Sequence, residues 1–192
     1  MTAPDPRPTV VAVLGSPRRR GNTATLAEAA LAELEAAGCA CTRIVLAEKQ
    51  VKFCSGHTFC GERPCPHDDD MASILEQVYA ADGLILATPI YYENVSGQMK
   101  AFIDRNATRY YAEEHLAPKA VGLVAVAGES YAEDTLAALR RFLALSNPEE
   151  LPVVELGGCA DKPGEVAEDA ELMAAARALG RSMAELLGAG PG

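Results

Sequence analysis

Basic residues are scarce in this chain of 192 residues: 17 Lys and Arg stand against 27 Asp and Glu, a formal charge of -10. That deficit opposes nucleic-acid binding driven by phosphate neutralisation, so any phosphate ligand must be held locally. No apolar stretch reaches the roughly 18 residues a membrane span requires. Met1 to Thr9 lacks the apolar core of a signal peptide, and the expectation is a soluble, cytoplasmic protein that meets neither membrane nor nucleic acid. Internal repeats and low-complexity linkers are also missing; the tails are merely Pro-rich at the start and Gly-rich after Leu187. The length suits one α/β domain, and residues 1–192 are read as a single unit. Six cysteines in a chain this large, with no secretion signal, argue against a disulfide scaffold and toward thiol, metal or redox chemistry.

Five apolar, β-rich runs recur: Thr9 to Leu14, Cys41 to Leu46, Gly83 to Thr88, Lys119 to Val126 and Leu151 to Leu156. Helical stripes separate them: Leu26, Ala30 and Leu34; Met71, Ile74, Leu75 and Val78; then Leu172, Ala176, Leu179, Met183 and Leu186. Strands alternating with helices predict a five-stranded parallel sheet covered on both faces. Ligands on such sheets bind beyond the carboxyl ends of the strands. Three loops fall there: Gly15 to Thr23, Pro89 to Gly97 and Ala127 to Tyr131. Cys39, Cys41 and Cys159, at strand edges with no ligand-like spacing, are expected to be buried small hydrophobes.

The first of these loops, Gly15-Ser16-Pro17-Arg18-Arg19-Arg20-Gly21-Asn22-Thr23, delivers a buried strand to a helix start. Ser16, Asn22 and Thr23 offer donors where the helix leaves its first N–H groups unpaired. Neither Gly-x-Gly-x-x-Gly nor Gly-x-x-x-x-Gly-Lys-[Ser/Thr] is present, which disfavours dinucleotides and nucleoside triphosphates and leaves a monophosphate. An ordinary strand-turn-helix with Asn22 or Thr23 as N-cap is the alternative. Downstream, Thr88-Pro89-Ile90-Tyr91-Tyr92-Glu93-Asn94-Val95-Ser96-Gly97 puts aromatic and polar groups beside the phosphate loop, which suits a flat ring. Tyr91 and Tyr92 packed over the sheet edge would be the simpler reading.

Together with Asp68-Asp69-Asp70-Met71, Ala81-Asp82-Gly83 and Lys100-Ala101-Phe102-Ile103-Asp104-Arg105, these segments resemble the flavodoxin-like NADPH-dependent FMN reductase family, in particular its iron-sulfur flavoprotein branch. The motifs run in order over residues 9 to about 130. The resemblance implies a flavodoxin-like three-layer sandwich and noncovalent FMN, with Ser16, Arg18, Asn22 and Thr23 around the phosphate. Pro89, Ile90, Tyr91, Tyr92, Asn94 and Ser96 would lie along the isoalloxazine, and Gly128 would face its pyrimidine side. Arg18 adds a charge-assisted phosphate bond, whereas Arg19 and Arg20 are read as solvated. Lys100, Asp104 and Arg105 are read as helix-surface and interface residues. The family's oligomers imply a homodimer or homotetramer.

The irregular stretch 47–70 carries Cys54, His57, Cys60 and Cys65. In the iron-sulfur branch this loop holds four closely spaced cysteines around a [4Fe-4S] cluster; here His57 stands at the second cysteine's place. Three readings stay open: a Cys3His iron-sulfur cluster, a tetrahedral zinc site with the same donors, or free, redox-active thiols. His67, beside three aspartates at a helix start, is read as a capping or surface residue. No general acid or base stands out, as befits flavin chemistry that depends on positioning. The expected activity is FMN-dependent transfer of electrons from NAD(P)H or a reduced carrier to a small acceptor such as a quinone or flavin. The competing expectation is an FMN/iron-sulfur protein relaying electrons between protein partners.

Overall fold

The computed structural model describes residues 7–56, 60, 64–129 and 132–190. In chain order they form β1 (Thr9–Leu14), α1 (Asn22–Ala36), β2 (Ala40–Val45), α2 (Met71–Ala80), β3 (Gly83–Tyr91), β4 (Asn94–Val95), α3 (Gly97–Arg105), α4 (Ala107–Tyr111), β5 (Ala120–Ala127), α5 (Glu133–Ser146), β6 (Val153–Cys159) and α6 (Ala170–Leu186). Single 3-10 turns lie at Leu46–Glu48 and Glu165–Ala167.

The parallel strands run in the order β2-β1-β3-β5-β6, with β4 paired antiparallel to the end of β3. That is the doubly wound order of flavodoxin-like sheets, whose direction of winding reverses between β1 and β3. Alternate residues of each strand feed two separate cores. Val11, Val13, Leu84, Leu86, Leu123 and Ala125 pack with α2, α3 and α5, where Phe102 meets Phe142 edge-on at 6.0 Å. Val10, Ala12, Ile85, Ala87, Val124 and Val126 pack with α1 and α6. The two helices of the second layer touch backbone to backbone: a Cβ on Gly180 would lie 2.3 Å from the Ala30 carbonyl oxygen. A five-stranded parallel sheet between two helical layers is thus the observed architecture.

The helix stripes expected from periodicity are buried, save that Leu172 is half-buried and one position is shifted. Leu186 is 45% exposed and Leu187, just past the end of α6, takes its place in the core against Gly83. β3 continues past Thr88 to Tyr91, because Ile90 and Tyr91 pair with Val95 and Asn94 in a short hairpin. Of the strand-edge cysteines, Cys39 is buried and Cys41 half-buried; burial, then Glu35, pushes the Cys41 thiol up to about 12. Cys159 is instead exposed, its Sγ 2.8 Å from the Gly128 carbonyl, because the last residue of β6 faces the rim of the sheet. Asp82 ties strand starts together, accepting from the Thr9 amide at 2.9 Å, its hydroxyl at 3.0 Å and Lys119 Nζ at 3.3 Å.

Candidate functional site

A cleft of about 190 Å³ opens at the carboxyl ends of β1, β3, β5 and β6. Ser16, Arg18, Gly21, Asn22 and Thr23 form one wall, Pro89, Ile90 and Tyr91 a second, and Val126, Ala127, Gly128, Ala160 and Asp161 close it. A larger concavity of about 500 Å³ lies away from the strands' carboxyl ends, between the end of α5 and the start of β6. Only the smaller one collects the phosphate-loop residues.

The phosphate wall is shaped by local chemistry. The buried Ser16 Oγ accepts from the Arg18 amide at 3.1 Å, folding the loop so that the Arg18 side chain lines the cleft. Arg19 turns away to pair with Glu48 at 2.7 Å, in keeping with its separation from Arg18. The N-cap of α1 is Gly21, not Asn22 or Thr23, and no side chain caps the helix. A helix start of this kind leaves first-turn N–H groups for an external acceptor and adds the favourable end of the helix dipole. Open amides and a guanidinium form a donor set that fits a phosphate monoester, while the Ser16 hydroxyl is spent inside the loop, donating to the Arg18 carbonyl at 3.2 Å. Asn22 lines this wall, but its side-chain amide is engaged with the segment after β6.

The ring wall is built by the hairpin. Pro89, Ile90 and Tyr91 face the cleft, whereas Tyr92 and Glu93 form its tip with φ of 51° and 58° and Tyr92 stands fully in solvent. Asn94 Oδ1 accepts from the following amide of Val95 at 2.9 Å. Ser96 is completely buried: its hydroxyl donates to the Gly15 carbonyl at 2.6 Å and caps α3 by accepting from Met99 N at 3.2 Å. Among the expected ring residues, the hairpin therefore brings Pro89, Ile90 and Tyr91 to the cleft with Gly128, while Tyr92, Asn94 and Ser96 are outside its lining. Ser96 acts instead as a strut joining the phosphate loop to α3. Asp161, which no sequence signal singled out, is the added polar group of the cleft. Ser130 and Tyr131 lie outside the described residues.

Beneath the cysteine loop, Cys54, Cys60 and Cys65 line one small cavity of about 10 Å³ together with His67, Asp104 and Arg105. Arg105 is not a surface residue: it is 5% exposed, and its guanidinium grips the buried Asp69 at 2.7 Å and 3.2 Å and donates to the Lys52 carbonyl at 2.9 Å. Burial would raise the Asp69 carboxyl, but Arg105 and the amides of Lys52 and Met71 outweigh it and hold it down at about 2. Burial, then the neighbouring Cys54 and Cys65, pushes the Cys60 thiol up, against the opposing pull of Arg105. Nε2 of His67 and Nε of Arg105 are buried without hydrogen-bond partners. His67 thus faces inward rather than serving as a surface cap, a role its sequence position beside three aspartates did not suggest.

The donor chemistry here, three thiols and an imidazole whose Nε2 has no partner, suits a soft metal or an iron-sulfur centre. Among the described residues no three His, Cys, Asp or Glu side chains are grouped to hold a metal ion. The cavity that these side chains line is about the size of one water molecule. His57, expected as the second ligand, lies outside the described residues.

The chain is similar to known proteins over most of its length. An iron-sulfur flavoprotein of Archaeoglobus fulgidus is 34% identical over 176 residues, covering 91% of this chain and 78% of its own length. An iron-sulfur flavoprotein of Methanocaldococcus jannaschii is 32% identical over 187 residues, covering 93% and 96%. Among solved structures, an NAD(P)H:quinone oxidoreductase from Methanothermobacter marburgensis superposes with a TM-score of 0.71 at 19% identity, over 92% of this chain and 96% of that one, a likeness of fold. The family model described as NADPH-dependent FMN reductase matches residues 8–179. This chain belongs to the NADPH-dependent FMN reductase family, an NAD(P)H-dependent flavin oxidoreductase with FMN as its cofactor.

Proposed function

We propose that FMN occupies the cleft at the carboxyl ends of β1 and β3, and that the protein passes electrons from NAD(P)H or a reduced carrier to a small acceptor such as a quinone or flavin. The observation that carries this reading is the meeting of Arg18 and the uncapped start of α1 with the Pro89–Tyr91 wall in one cleft. Arg18 and the first amides of α1 bind the phosphate, Tyr91 and Ile90 supply apolar surface to the ring, and Gly128 keeps the end of β5 low beside it. When bound, the flavin supplies the redox chemistry; the protein orients it and sets its hydrogen bonds. The cleft is open, so part of the ring stays accessible to donor and acceptor.

Steady-state oxidation of NADH and NADPH by the FMN-loaded protein, with quinones, free flavins, nitroaromatics and ferric iron as acceptors, tests this. Turnover with at least one nucleotide and one acceptor is expected; none with either nucleotide overturns it.

A second reading, an FMN/iron-sulfur relay between protein partners, is favoured by the convergence of Cys54, Cys60 and Cys65 on one cavity and by the names of the curated relatives. Iron and zinc measured on anaerobically purified protein separate the two: stoichiometric iron lost in Cys60→Ala supports the relay, and metal-free protein with full turnover removes it. A homodimer or homotetramer is proposed, with the exposed Tyr110 and Leu145 beside the groove between α3, α4 and α5 as its contact. No helix among the described residues is long and apolar enough to cross a membrane, and a cytoplasmic setting is proposed, without nucleic-acid partners.

A further inference from the structure

Asn22 opens α1 at the mouth of the cleft, yet its side chain is bonded elsewhere. Nδ2 donates to the carbonyls of Ala160 at 3.2 Å and Lys162 at 2.9 Å, and Oδ1 accepts from the Gly164 amide at 2.8 Å. Both Nδ2 hydrogens are committed, leaving none for a phosphate oxygen. The three bonds join the first residue of α1 to a segment some 140 positions later in the chain.

That segment has a particular task. It follows β6, reverses at Gly164 with φ 85°, and anchors through the fully buried Val166 in the core that α1 shares with α6. Between its two tethered carbonyls it carries Asp161 into the wall of the cleft. The Asp161 carboxylate stands over the end of β5, with Oδ1 3.5 Å from where a Cβ of Gly128 would be. Among the described residues no donor holds this exposed carboxylate.

We propose that Asn22 is a positioning residue and not a phosphate ligand: it pins residues 160–164 so that Asp161 accepts a hydrogen bond from a ribityl hydroxyl of the flavin. The inference rests on the cleft being the FMN site. An ionised carboxylate only accepts hydrogen bonds, and it repels a phosphate. The donors FMN offers are its ribityl hydroxyls and its ring imide N–H. Asp161 is tethered to the phosphate wall through Asn22 and leans on the end of β5, the stretch that the chain between phosphate and ring must cross. A carboxylate there discriminates flavins by their polyol and leaves phosphate recognition to Arg18 and the helix start.

The test is a set of dissociation constants, read by flavin fluorescence, for FMN, riboflavin and lumiflavin. Riboflavin lacks the phosphate; lumiflavin lacks phosphate and ribityl chain. Asn22→Ala and Asp161→Ala should each weaken FMN and riboflavin alike, by about tenfold, the size of one charge-assisted hydrogen bond. Lumiflavin should bind Asp161→Ala as it binds the parent protein. The double variant should be no weaker than Asn22→Ala alone, since an unpinned Asp161 has little left to lose. Gly164→Ala, which strains the left-handed turn without filling occupied space, should reproduce the pattern of Asn22→Ala in a weaker form.

Loss of FMN affinity with riboflavin affinity intact in Asn22→Ala would make Asn22 a phosphate ligand and overturn the proposal. Multiplying losses in the double variant would overturn the coupling, and a lumiflavin loss in Asp161→Ala would overturn the ribityl assignment. Arg18→Ala keeps the underlying reading separate. It should weaken FMN and spare riboflavin; if it spares both, the cleft is not the phosphate site and the proposal falls with it.

Discussion

The cleft and the cysteine loop both gather polar groups from distant parts of the chain, but they are held by different forces. The cleft is made of strand ends and helix starts already fixed by the parallel ladder: Gly15 donates to the Ala87 carbonyl at 2.8 Å, and Ala160 to that of Ala127 at 2.7 Å. Its geometry is a by-product of the sheet. The described residues between Lys49 and Asp70 belong to no strand. The ends of this stretch are closed by Asp70 accepting from the Gln50 amide at 2.7 Å and Asp69 accepting from that of Lys52 at 3.0 Å, with Arg105 clamped beneath. One site is organised by backbone pairing and the other by a buried charge, so the two should fail under different insults.

The sharpest way to break the comparison is Arg105→Leu. It leaves Asp69 buried and unpaired, and breaking such a pair costs about 3 to 5 kcal/mol. Urea unfolding should show that loss, while FMN affinity of the folded fraction stays within a few-fold of the parent's. An unchanged unfolding midpoint would mean that the loop does not depend on this ion pair.

Acid should act on the same clamp with a smaller effect. The folded-state carboxyl of Asp69 lies at about 2, below its ordinary value of 3.8, so its contribution is fully present above pH 4 and is lost as pH falls toward 2. The shift corresponds to about 2 kcal/mol. Stability measured from pH 5 to pH 2 should fall by that amount more in the parent than in Asp69→Asn, whose baseline is lower but flatter. Parallel curves would remove Asp69 as the source.

The smallest expected effect sharpens the cleft side. Tyr92 and Glu93 both adopt left-handed backbone at the hairpin tip, a conformation a side chain disfavours. Glu93→Gly should therefore raise the unfolding free energy by about 0.5 to 1 kcal/mol. A loss would show that the Glu93 side chain contributes more than its backbone costs.

Much of this was legible in the amino-acid order, for reasons that differ from place to place. β1 was expected over Thr9 to Leu14 and is found there, because a β-branched run bounded by a polar loop permits little else. Leu26, Ala30 and Leu34 are completely buried, since a helix on a two-sided sheet needs an unbroken apolar stripe. The cleft was legible as loops at strand ends, but not the separate duties of their residues. Ser96 and Asn22 carry donors of the right kind for a cofactor, yet each is spent on backbone groups 81 and 138 residues away, partners that no local pattern announces. Arg105 read as a surface cation because its buried partner, Asp69, lies 36 residues earlier.

Alone, then, the sequence determined the alternation of strands and helices, the absence of the common nucleotide motifs, and the loop chemistry suited to a phosphate monoester, because periodicity and local donor content are properties of neighbouring residues. Tertiary structure decided which of those donors remain free. A hydrogen-bonding group serves the ligand only if no backbone group of the folded protein has claimed it, and that depends on which distant segments the sheet order brings together.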